Sequence, residues 1–207
     1  MKGTRGIIYD CDGVLFDSRR ANLAYYSKVL SYFGELPVLD EDSPRADLCH
    51  THASPDVFHK LLGPERVSEA QIFAETIDIE SLFPLMAPEK GIPQVLDRLG
   101  KHMVLALATN RGRNVCSILD YFHMRSYFKA VVTSEDVRRP KPAPDMLLLA
   151  VEKLDLRPDQ VLFVGDSELD RQAARQAGLR FVAYKGWVDG DLVIHEHQEL
   201  AALLGIA

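Results

Sequence analysis

Two acidic residues lie close together near the start of the chain, in the segment Asp10-Cys11-Asp12-Gly13. They come at the end of an apolar run, residues 6–10, which is typical of a strand buried on both faces of a sheet. Side chains at positions i and i+2 of a strand point to the same face, so Asp10 and Asp12 are expected to converge beyond the strand end. Such a pair suits a nucleophile or metal ligand beside a proton donor. The alternative interpretation is a polar turn, in which Asp and Gly are common.

A second apolar run, residues 161–165, also ends in acidic residues. Asp166 follows this run directly, and we predict that it is a metal ligand if its strand neighbours the first one. Asp170 comes four residues later, and Ser167 with Asp170 matches the capping box S-x-x-D at the start of a helix. Asp170 is therefore interpreted as a helix cap, as a residue that supports the metal ligands from behind, or as both.

Two further segments offer groups that bind anions. Lys141 lies in the segment Arg139-Pro140-Lys141-Pro142, where the prolines restrict the loop and keep the lysine out of a helix. Thr109 and Asn110 end another apolar run, and a hydroxyl with free backbone N–H groups at the start of a helix suits a phosphate. Gly13 lets the backbone approach such a ligand closely.

The charges of these residues indicate that a cation is missing. Asp10, Asp12, Asp166 and Asp170 are opposed only by Lys141, so a phosphate dianion needs a cation in order to enter. Mg²⁺ is a hard ion that prefers carboxylate oxygens and water, and it is the predicted cofactor. The sequence shows no convincing cluster of His and Cys ligands, which disfavours zinc.

Five short apolar runs predict the strands that position these residues. They are residues 6–10, 103–109, 130–134, 161–165 and 180–184. Helical segments are predicted before and between the later runs, at residues 92–100, 114–122, 142–154 and 167–178. This alternation predicts an α/β fold with a doubly wound, parallel, Rossmann-like sheet of five strands, in which the chemical residues share one edge.

Residues 17–85 interrupt this alternation with helices only. The predicted helices are residues 20–33, two segments that open with Ser43-Pro44 and Ser54-Pro55, and residues 68–79. Ser before Pro is typical of a helix start, with Ser as the N-cap. We predict an α-helical cap domain at residues 17–85, inserted into an α/β core formed by residues 1–16 and 86–207.

The overall composition excludes several classes of protein. The 30 acidic residues outnumber the 24 basic ones, which disfavours nucleic acid as a partner. No apolar stretch approaches the ~18–20 residues of a membrane span, and the start of the chain lacks the apolar core of a signal peptide. Three cysteines do not suggest a disulfide framework. We expect a cytoplasmic protein, a monomer or weak dimer, without membrane or nucleic-acid partners.

In order along the chain, these motifs resemble those of the haloacid dehalogenase superfamily of aspartyl-phosphate phosphohydrolases. The motifs are acid-x-acid-Gly-Val, Thr-Asn at a strand end, Lys-Pro-x-Pro-Asp, and Gly-Asp-Ser-x-x-Asp followed by Ala-Ala-x-x-Ala-Gly. The resemblance covers residues 6–18 and 92–186, and the helical insertion is similar to the mobile cap of the family.

The resemblance implies a role for each acidic residue. Asp10 is the nucleophile that attacks phosphorus, and Asp12 protonates the leaving oxygen and then activates water. Mg²⁺ is held by the Asp10 side chain, the backbone carbonyl of Asp12 and the Asp166 side chain. Asp170 supports these ligands.

The same resemblance implies which residues bind the phosphoryl group. Thr109 and Lys141, together with the backbone N–H groups near Gly13 and Asn110, hold its oxygens in the transition state.

The second acid, Asp12, favours phosphoryl transfer over dehalogenation, because the dehalogenases of the superfamily lack it. The motifs are most similar to the phosphoglycolate phosphatase group, whose substrates are small phosphomonoesters such as phosphoglycolate or a sugar phosphate. A β-phosphoglucomutase-like mutase is the nearest alternative. A catalytically silent phosphate-binding protein on the same fold is a more distant one.

Three further sets of residues receive structural interpretations. The polar cluster of the insertion is predicted to be a solvated helix face, with contact to a substrate as the alternative. Its members are Arg45, Asp47, Cys49, His50, Thr51 and His52. His195 and His197 are predicted to lie at the surface. Cys11 is predicted to pack on the face of the strand opposite the acids.

Overall fold

The computed structural model describes residues 3–206, so residues 1, 2 and 207 of the predicted core lie outside the described part. The strands are β1 Gly6–Tyr9, β2 Phe16–Asp17, β3 Ala87–Pro88, β4 Val104–Thr109, β5 Ala130–Thr133, β6 Val161–Gly165, β7 Arg180–Tyr184 and β8 Leu192–Ile194. The helices are α1 Arg19–Tyr32, α2 Pro44–Thr51, α3 Ser54–Leu62, α4 Val67–Glu75, α5 Ile92–Gly100, α6 Val115–Tyr121, α7 Asp145–Leu154, α8 Glu168–Ala177 and α9 His197–Leu203.

Six parallel strands form the main sheet in the order β5-β4-β1-β6-β7-β8. β1 lies between β4 and β6, and Tyr9 is in register with Leu107 on one side and Val164 on the other. The carboxyl ends of these three strands therefore lie side by side, which is where open α/β sheets bind ligands. This arrangement confirms the predicted fold class.

The sheet has one strand more than predicted. All five predicted strands are present, and β8 extends the edge beyond β7. β8 has only three residues, all apolar, and leaves Val193 45% exposed, so its apolar run is too short to predict a strand that is buried on both faces.

Both faces of the sheet are covered by apolar side chains. Along β1, Ile7 and Tyr9 belong to one buried cluster and Ile8 belongs to the other, as the two-residue period of a strand requires. Side chains of α5, α6 and α9 complete the first cluster, and those of α7 and α8 complete the second. This double burial is the reason why the strands are continuously apolar.

Helices α1 to α4 lie in the chain between β2 and β3, two short strands that pair antiparallel with Phe16 opposite Pro88. These helices share a third apolar cluster, which includes Tyr26 and Phe58. On this basis we propose residues 17–85 as the cap. The 3₁₀ segment Glu80–Leu85 at its end places Leu82 and Phe83 in a cluster of the main sheet, so this part of the insertion packs on the core.

Several helix boundaries differ from the predictions for local reasons. The helix predicted at 142–154 begins at Asp145, because Pro144 disfavours helical geometry at the residue before it. The helix predicted at 68–79 ends at Glu75. Ser54 is the first helical residue of α3 rather than its N-cap. In α2, by contrast, Ser43 accepts a hydrogen bond from the N–H of Ala46 and is the predicted cap. Within residues 3–206, no helix is both long and apolar enough to span a bilayer.

Candidate active site

The carboxyl ends of β1 and β6 place two acids side by side. Asp10 follows β1, and its backbone N–H donates to the carbonyl oxygen of Val164 at 2.9 Å. Asp166 follows β6, the neighbouring strand. Asp10 is only 7% exposed and Asp166 only 6%, so both carboxylates lie in a site that is largely screened from water.

A third carboxylate completes the cluster. Asp170 occupies the third position of α8, where its N–H donates to the Ser167 hydroxyl at 3.2 Å and its Oδ2 accepts the Ser167 N–H at 3.1 Å. The predicted capping box is therefore present. Asp170 is fully buried, and Asp10, Asp166 and Asp170 each have an oxygen within 4.8 Å of the others.

Asp10 and Asp166 have perturbed pKa values. The pKa of Asp10 is raised to about 7, mainly by burial; Lys141 acts to lower this pKa, and the negative charges of Asp170 and Asp12 act to raise it. The pKa of Asp166 is raised well above its usual value by burial and then by the negative charges of Asp170 and Asp10. The cluster therefore carries more negative charge than its protein surroundings compensate.

Lys141 lies among these acids, with 3% of its surface exposed. Its Nζ donates to Oδ1 of Asp10 at 2.8 Å and to Oδ1 of Asp170 at 2.6 Å. Burial by itself disfavours the ammonium ion, but the two carboxylates outweigh this effect and raise its pKa. Lys141 therefore remains charged and is held at a fixed position beside Asp10.

Asn110 positions the loop that carries Lys141. Its Oδ1 accepts the Lys141 N–H at 3.0 Å, and its Nδ2 donates to the Lys141 carbonyl at 3.1 Å. Nδ2 also donates to the carbonyl of Thr51 in the insertion at 3.0 Å. Asn110 therefore joins three parts of the chain that meet at the site.

Thr109 and Gly13 line the same edge of the sheet. Thr109 ends β4, is 1% exposed, and its hydroxyl oxygen accepts the Arg111 N–H at 3.2 Å. Gly13 has a φ of +74°, and a Cβ there would lie 2.0 Å from Oδ2 of Asp166. Only glycine therefore lets Asp166 lie against the loop that follows β1.

Asp12 is paired with Arg111, a residue that the sequence analysis did not assign to the site. The guanidinium donates to both oxygens of the carboxylate, at distances between 2.6 and 3.0 Å. Ser18 and Asn22 donate to the same carboxylate. Burial raises the pKa of Asp12, but Arg111 outweighs it and the pKa falls to about 2. The position of Arg111, two residues after the end of β4, was the only sequence feature that pointed to it.

The polar cluster of α2 is not uniformly solvated, and this prediction was wrong at two residues. Cys49 is 2% exposed, and Nδ1 of His50 lies 3.1 Å from Nδ2 of Asn22 near Asp12. Burial lowers the pKa of His50, which favours the neutral ring. Ala46, Cys49 and His50 follow the i, i+3, i+4 spacing of the inward face of a helix. Asp47 is exposed, as predicted.

The two C-terminal histidines differ from each other. His195 is exposed as predicted, but His197 is fully buried, so its predicted surface position was wrong. Nε2 of His197 lies 2.8 Å from the carbonyl oxygen of Val14, and its ring stacks on Tyr184 at 4.2 Å. His197 shares the buried face of α9 with Leu200, which explains its burial. Cys11 packs in the apolar core as predicted.

A cavity of about 50 Å³ lies beside Asp12, between the sheet and the insertion. Its polar lining includes Asn22, His50 and Arg111, and its apolar lining includes Leu82 and Ile118. A larger cleft of about 600 Å³ opens next to it and is lined by α3, α4 and the loops after β5. Asp12 thus faces a cavity that both the sheet and the insertion enclose.

A buried cluster of aspartates with one lysine, at the carboxyl edge of a parallel sheet and under a helical insertion, defines the class of α/β phosphohydrolases. The chain belongs to the haloacid dehalogenase-like hydrolase family, which its residues 7–184 match. This match confirms the predicted family and the predicted class of enzyme.

Curated relatives and solved structures agree with this assignment. The phosphoglycolate phosphatase of Escherichia coli (strain K12) is 33% identical over 197 residues, which cover 84% of this chain and 78% of that protein. The phosphoglycolate phosphatase of Salmonella typhi is 33% identical over 201 residues, which cover 86% and 80%.

Among solved structures, a HAD-superfamily hydrolase (subfamily IA, variant 1) from Geobacter sulfurreducens has a TM-score of 0.84 and 36% identity, covering 97% of this chain and 99% of that chain. CbbY from Rhodobacter sphaeroides, solved in complex with phosphate, shares the fold, with a TM-score of 0.81 and 22% identity, covering 98% and 99%.

Proposed function

We propose that this protein is a Mg²⁺-dependent phosphatase that hydrolyses a small phosphomonoester through an aspartyl-phosphate on Asp10. The observation that carries the proposal is the position of Lys141, whose ammonium group joins Asp10 to Asp170 beside the carboxylate of Asp166. The names of the curated relatives support phosphoglycolate or a similar phosphomonoester as the substrate. A sugar phosphate is the other substrate of this class that we propose.

The acidic cluster fits a magnesium ion. Asp10, Asp166 and Asp170 each offer an oxygen within 4.8 Å of the others, and Asp166 is only 6% exposed. Buried carboxylates this close to one another favour a bound cation, and oxygen ligands favour Mg²⁺. The side chains of Asp10 and Asp166 and the backbone carbonyl of Asp12 would hold it. The ion would supply positive charge to the phosphoryl oxygens.

Asp170 has a supporting role in this proposal. Its Oδ1 accepts from Lys141 and its Oδ2 accepts from Ser167, so both oxygens are already occupied. Asp170 therefore fixes Lys141 and the start of α8.

Asp10 is the proposed nucleophile. Lys141 binds its Oδ1, which orients the carboxylate at the end of β1. In the first step an oxygen of Asp10 bonds to phosphorus while the bond to the leaving oxygen breaks, and the Asp12 carboxyl donates a proton to that oxygen. In the second step Asp12 takes a proton from water, the water oxygen bonds to phosphorus, and the Asp10–phosphorus bond breaks. The products are inorganic phosphate and an alcohol.

The remaining residues stabilise the phosphoryl group as its charge is redistributed. The Lys141 ammonium, the Thr109 hydroxyl and the backbone N–H groups near Gly13 and Asn110 are the proposed donors to its oxygens. Donors that are already fixed by the fold stabilise a transition state without reorganisation.

The test is the turnover of a panel of phosphomonoesters that includes phosphoglycolate and β-glucose 1-phosphate, with Mg²⁺ and again with excess chelator. We expect phosphate release that requires Mg²⁺ and that Asp10→Asn abolishes. Asp97→Asn, at an exposed acid of α5 that pairs with Lys101, is the matched control. Isomerisation of the sugar phosphate without net phosphate release identifies a mutase instead. No turnover by folded, Mg²⁺-loaded protein contradicts the proposal.

A further inference from the structure

The guanidinium of Arg111 occupies both oxygens of the Asp12 carboxylate. Its Nε donates to Oδ2 at 2.8 Å and to Oδ1 at 3.0 Å, and its Nη2 donates to Oδ1 at 2.6 Å. Nδ2 of Asn22, from the insertion, adds a hydrogen bond to Oδ1 at 3.1 Å. The side chains of Arg111 and Asp12 are only 15% and 11% exposed, so water competes little for this pair.

This pairing conflicts with the role proposed for Asp12. A carboxyl group that protonates a leaving oxygen needs an oxygen that carries the proton and faces the substrate. Here each oxygen of Asp12 instead accepts an N–H of a cation. Arg111 must therefore leave Asp12 before the proton is transferred.

A buried guanidinium that leaves one carboxylate requires another anion, because an uncompensated buried charge is strongly unfavourable. Arg111 is the only Lys or Arg among the described residues that line the cavity beside Asp12. Asn22 and His50 add polar groups next to it, and the rest of the lining includes apolar side chains such as Leu82. The new partner must therefore come from the molecule that enters this cavity.

We propose that Arg111 is a specificity-determining residue that exchanges one carboxylate for another. An anionic group on the leaving part of the substrate takes the guanidinium from Asp12, and Asp12 is then free to face the leaving oxygen. This inference rests on the proposed phosphatase function. The substrate class that it selects is a phosphomonoester with a second anionic group, such as a carboxylate, on its leaving part. With a neutral leaving part, Arg111 stays on Asp12 and turnover is slow.

Two substrates that differ only in this group test the proposal. Phosphoglycolate carries a carboxylate, and 2-hydroxyethyl phosphate has a neutral hydroxymethyl group in its place. For the wild-type enzyme we expect kcat/KM to be about 100-fold higher with phosphoglycolate, since a buried charged group that loses its partner discriminates strongly.

Replacing Arg111 distinguishes a role in substrate specificity from a purely structural role. Arg111→Gln removes the charge, and we expect it to lower kcat/KM for phosphoglycolate about 100-fold while the value for 2-hydroxyethyl phosphate stays the same or rises. Arg113→Gln, at an arginine of the same loop whose side chain is 71% exposed, is the control and should leave both values unchanged.

Each other outcome has a defined meaning. Equal losses on both substrates in Arg111→Gln show a structural role and overturn the inference. A wild-type enzyme that turns over phosphomonoesters without preferring phosphoglycolate also overturns it, but leaves the phosphatase function intact. No turnover of any phosphomonoester refutes the phosphatase function and with it this inference. If Arg111→Gln does not fold, Arg111→Lys keeps the charge without the two-pronged geometry, and its loss should be confined to phosphoglycolate.

Discussion

The ammonium group of Lys141 lies 2.8 Å from Oδ1 of Asp10, although the two residues are 131 positions apart in the chain. The same nitrogen lies 2.6 Å from Oδ1 of Asp170, so one cation contacts two buried carboxylates. Lys141→Met keeps the length of the side chain and removes its charge. We expect it to lower the rate of phosphate release ~10²–10³-fold, as loss of a donor to the transition state does.

The same substitution should destabilise the fold, because it leaves buried charges without a partner. We expect the free energy of unfolding to fall by about 3–5 kcal/mol, measured by urea denaturation without metal. Lys153→Met, at an exposed lysine of α7, is the control and should change neither quantity appreciably. A Lys141→Met enzyme with the wild-type rate contradicts the proposed role of Lys141.

Gly13 is expected to be essential for the position of Asp166. In Gly13→Ala, the new Cβ would lie 2.0 Å from Oδ2 of Asp166, which must then move. We expect Mg²⁺ to bind at least ~10-fold more weakly, as when the residues that orient a metal ligand are disturbed. A titration of Mg²⁺ followed by the rate of phosphate release measures this effect.

Gly34 provides a matched control for this substitution. Its φ of +75° is almost the same as that of Gly13, but a Cβ there has no heavy atom within 4 Å. Gly34→Ala therefore reproduces the backbone strain, about 1 kcal/mol, without the steric contact. Equal effects of the two substitutions on Mg²⁺ binding contradict the role of Gly13.

The sequence was most informative where a buried strand ends in polar residues. The pattern predicted both strands that carry Asp10 and Asp166, and their pairing in the sheet brings these acids together. The prolines around Lys141 predicted a restricted loop. The strand predictions succeeded because strand burial is recorded locally in the sequence, and Lys141 lies outside α7, which begins at Asp145.

Contacts between distant residues could not be predicted in this way. Arg111 and Asp12 are 99 positions apart, and nothing near Arg111 indicates that it turns back towards the first strand. The burial of His197 depends on the way α9 packs on the loop after β1, which no local pattern of polar residues reveals. Strand β8 was missed because its three residues are too short for a periodic pattern.

Asp166→Asn should separate metal binding from folding. Burial, and then the negative charges of Asp170 and Asp10, raise the pKa of Asp166, so its negative charge costs stability in the metal-free protein. Asn removes this charge, and we expect the metal-free variant to unfold at a higher temperature than the metal-free wild type. We also expect the rise in melting temperature with Mg²⁺ to be lost.

The melting temperatures of both proteins, with Mg²⁺ and with chelator, measure this difference. Asp97→Asn, at the exposed acid of α5, should keep the wild-type response to Mg²⁺. A full Mg²⁺ response in Asp166→Asn shows that Asp166 does not bind the metal and refutes its proposed role.

His197 should make the stability of the protein fall in acid. Burial lowers its pKa from 6.5 to about 4, so between these values the unfolded chain binds a proton that the folded protein does not. The free energy of unfolding therefore rises with pH from about 4 to about 6.5, and the contribution of His197 is lost as the pH falls through this window. The pKa difference corresponds to about 3 kcal/mol.

His197→Gln tests this contribution, because Gln retains a donor for the carbonyl of Val14 but does not titrate. Urea denaturation at pH 4.5, 5.5 and 7 should show a smaller loss of stability in acid for the variant than for the wild type. His195→Gln, at the exposed histidine two residues earlier, is the control and should follow the wild type. If His197→Gln loses as much stability in acid as the wild type, other groups cause the acid sensitivity, and the buried ring of His197 only anchors the loop after β1.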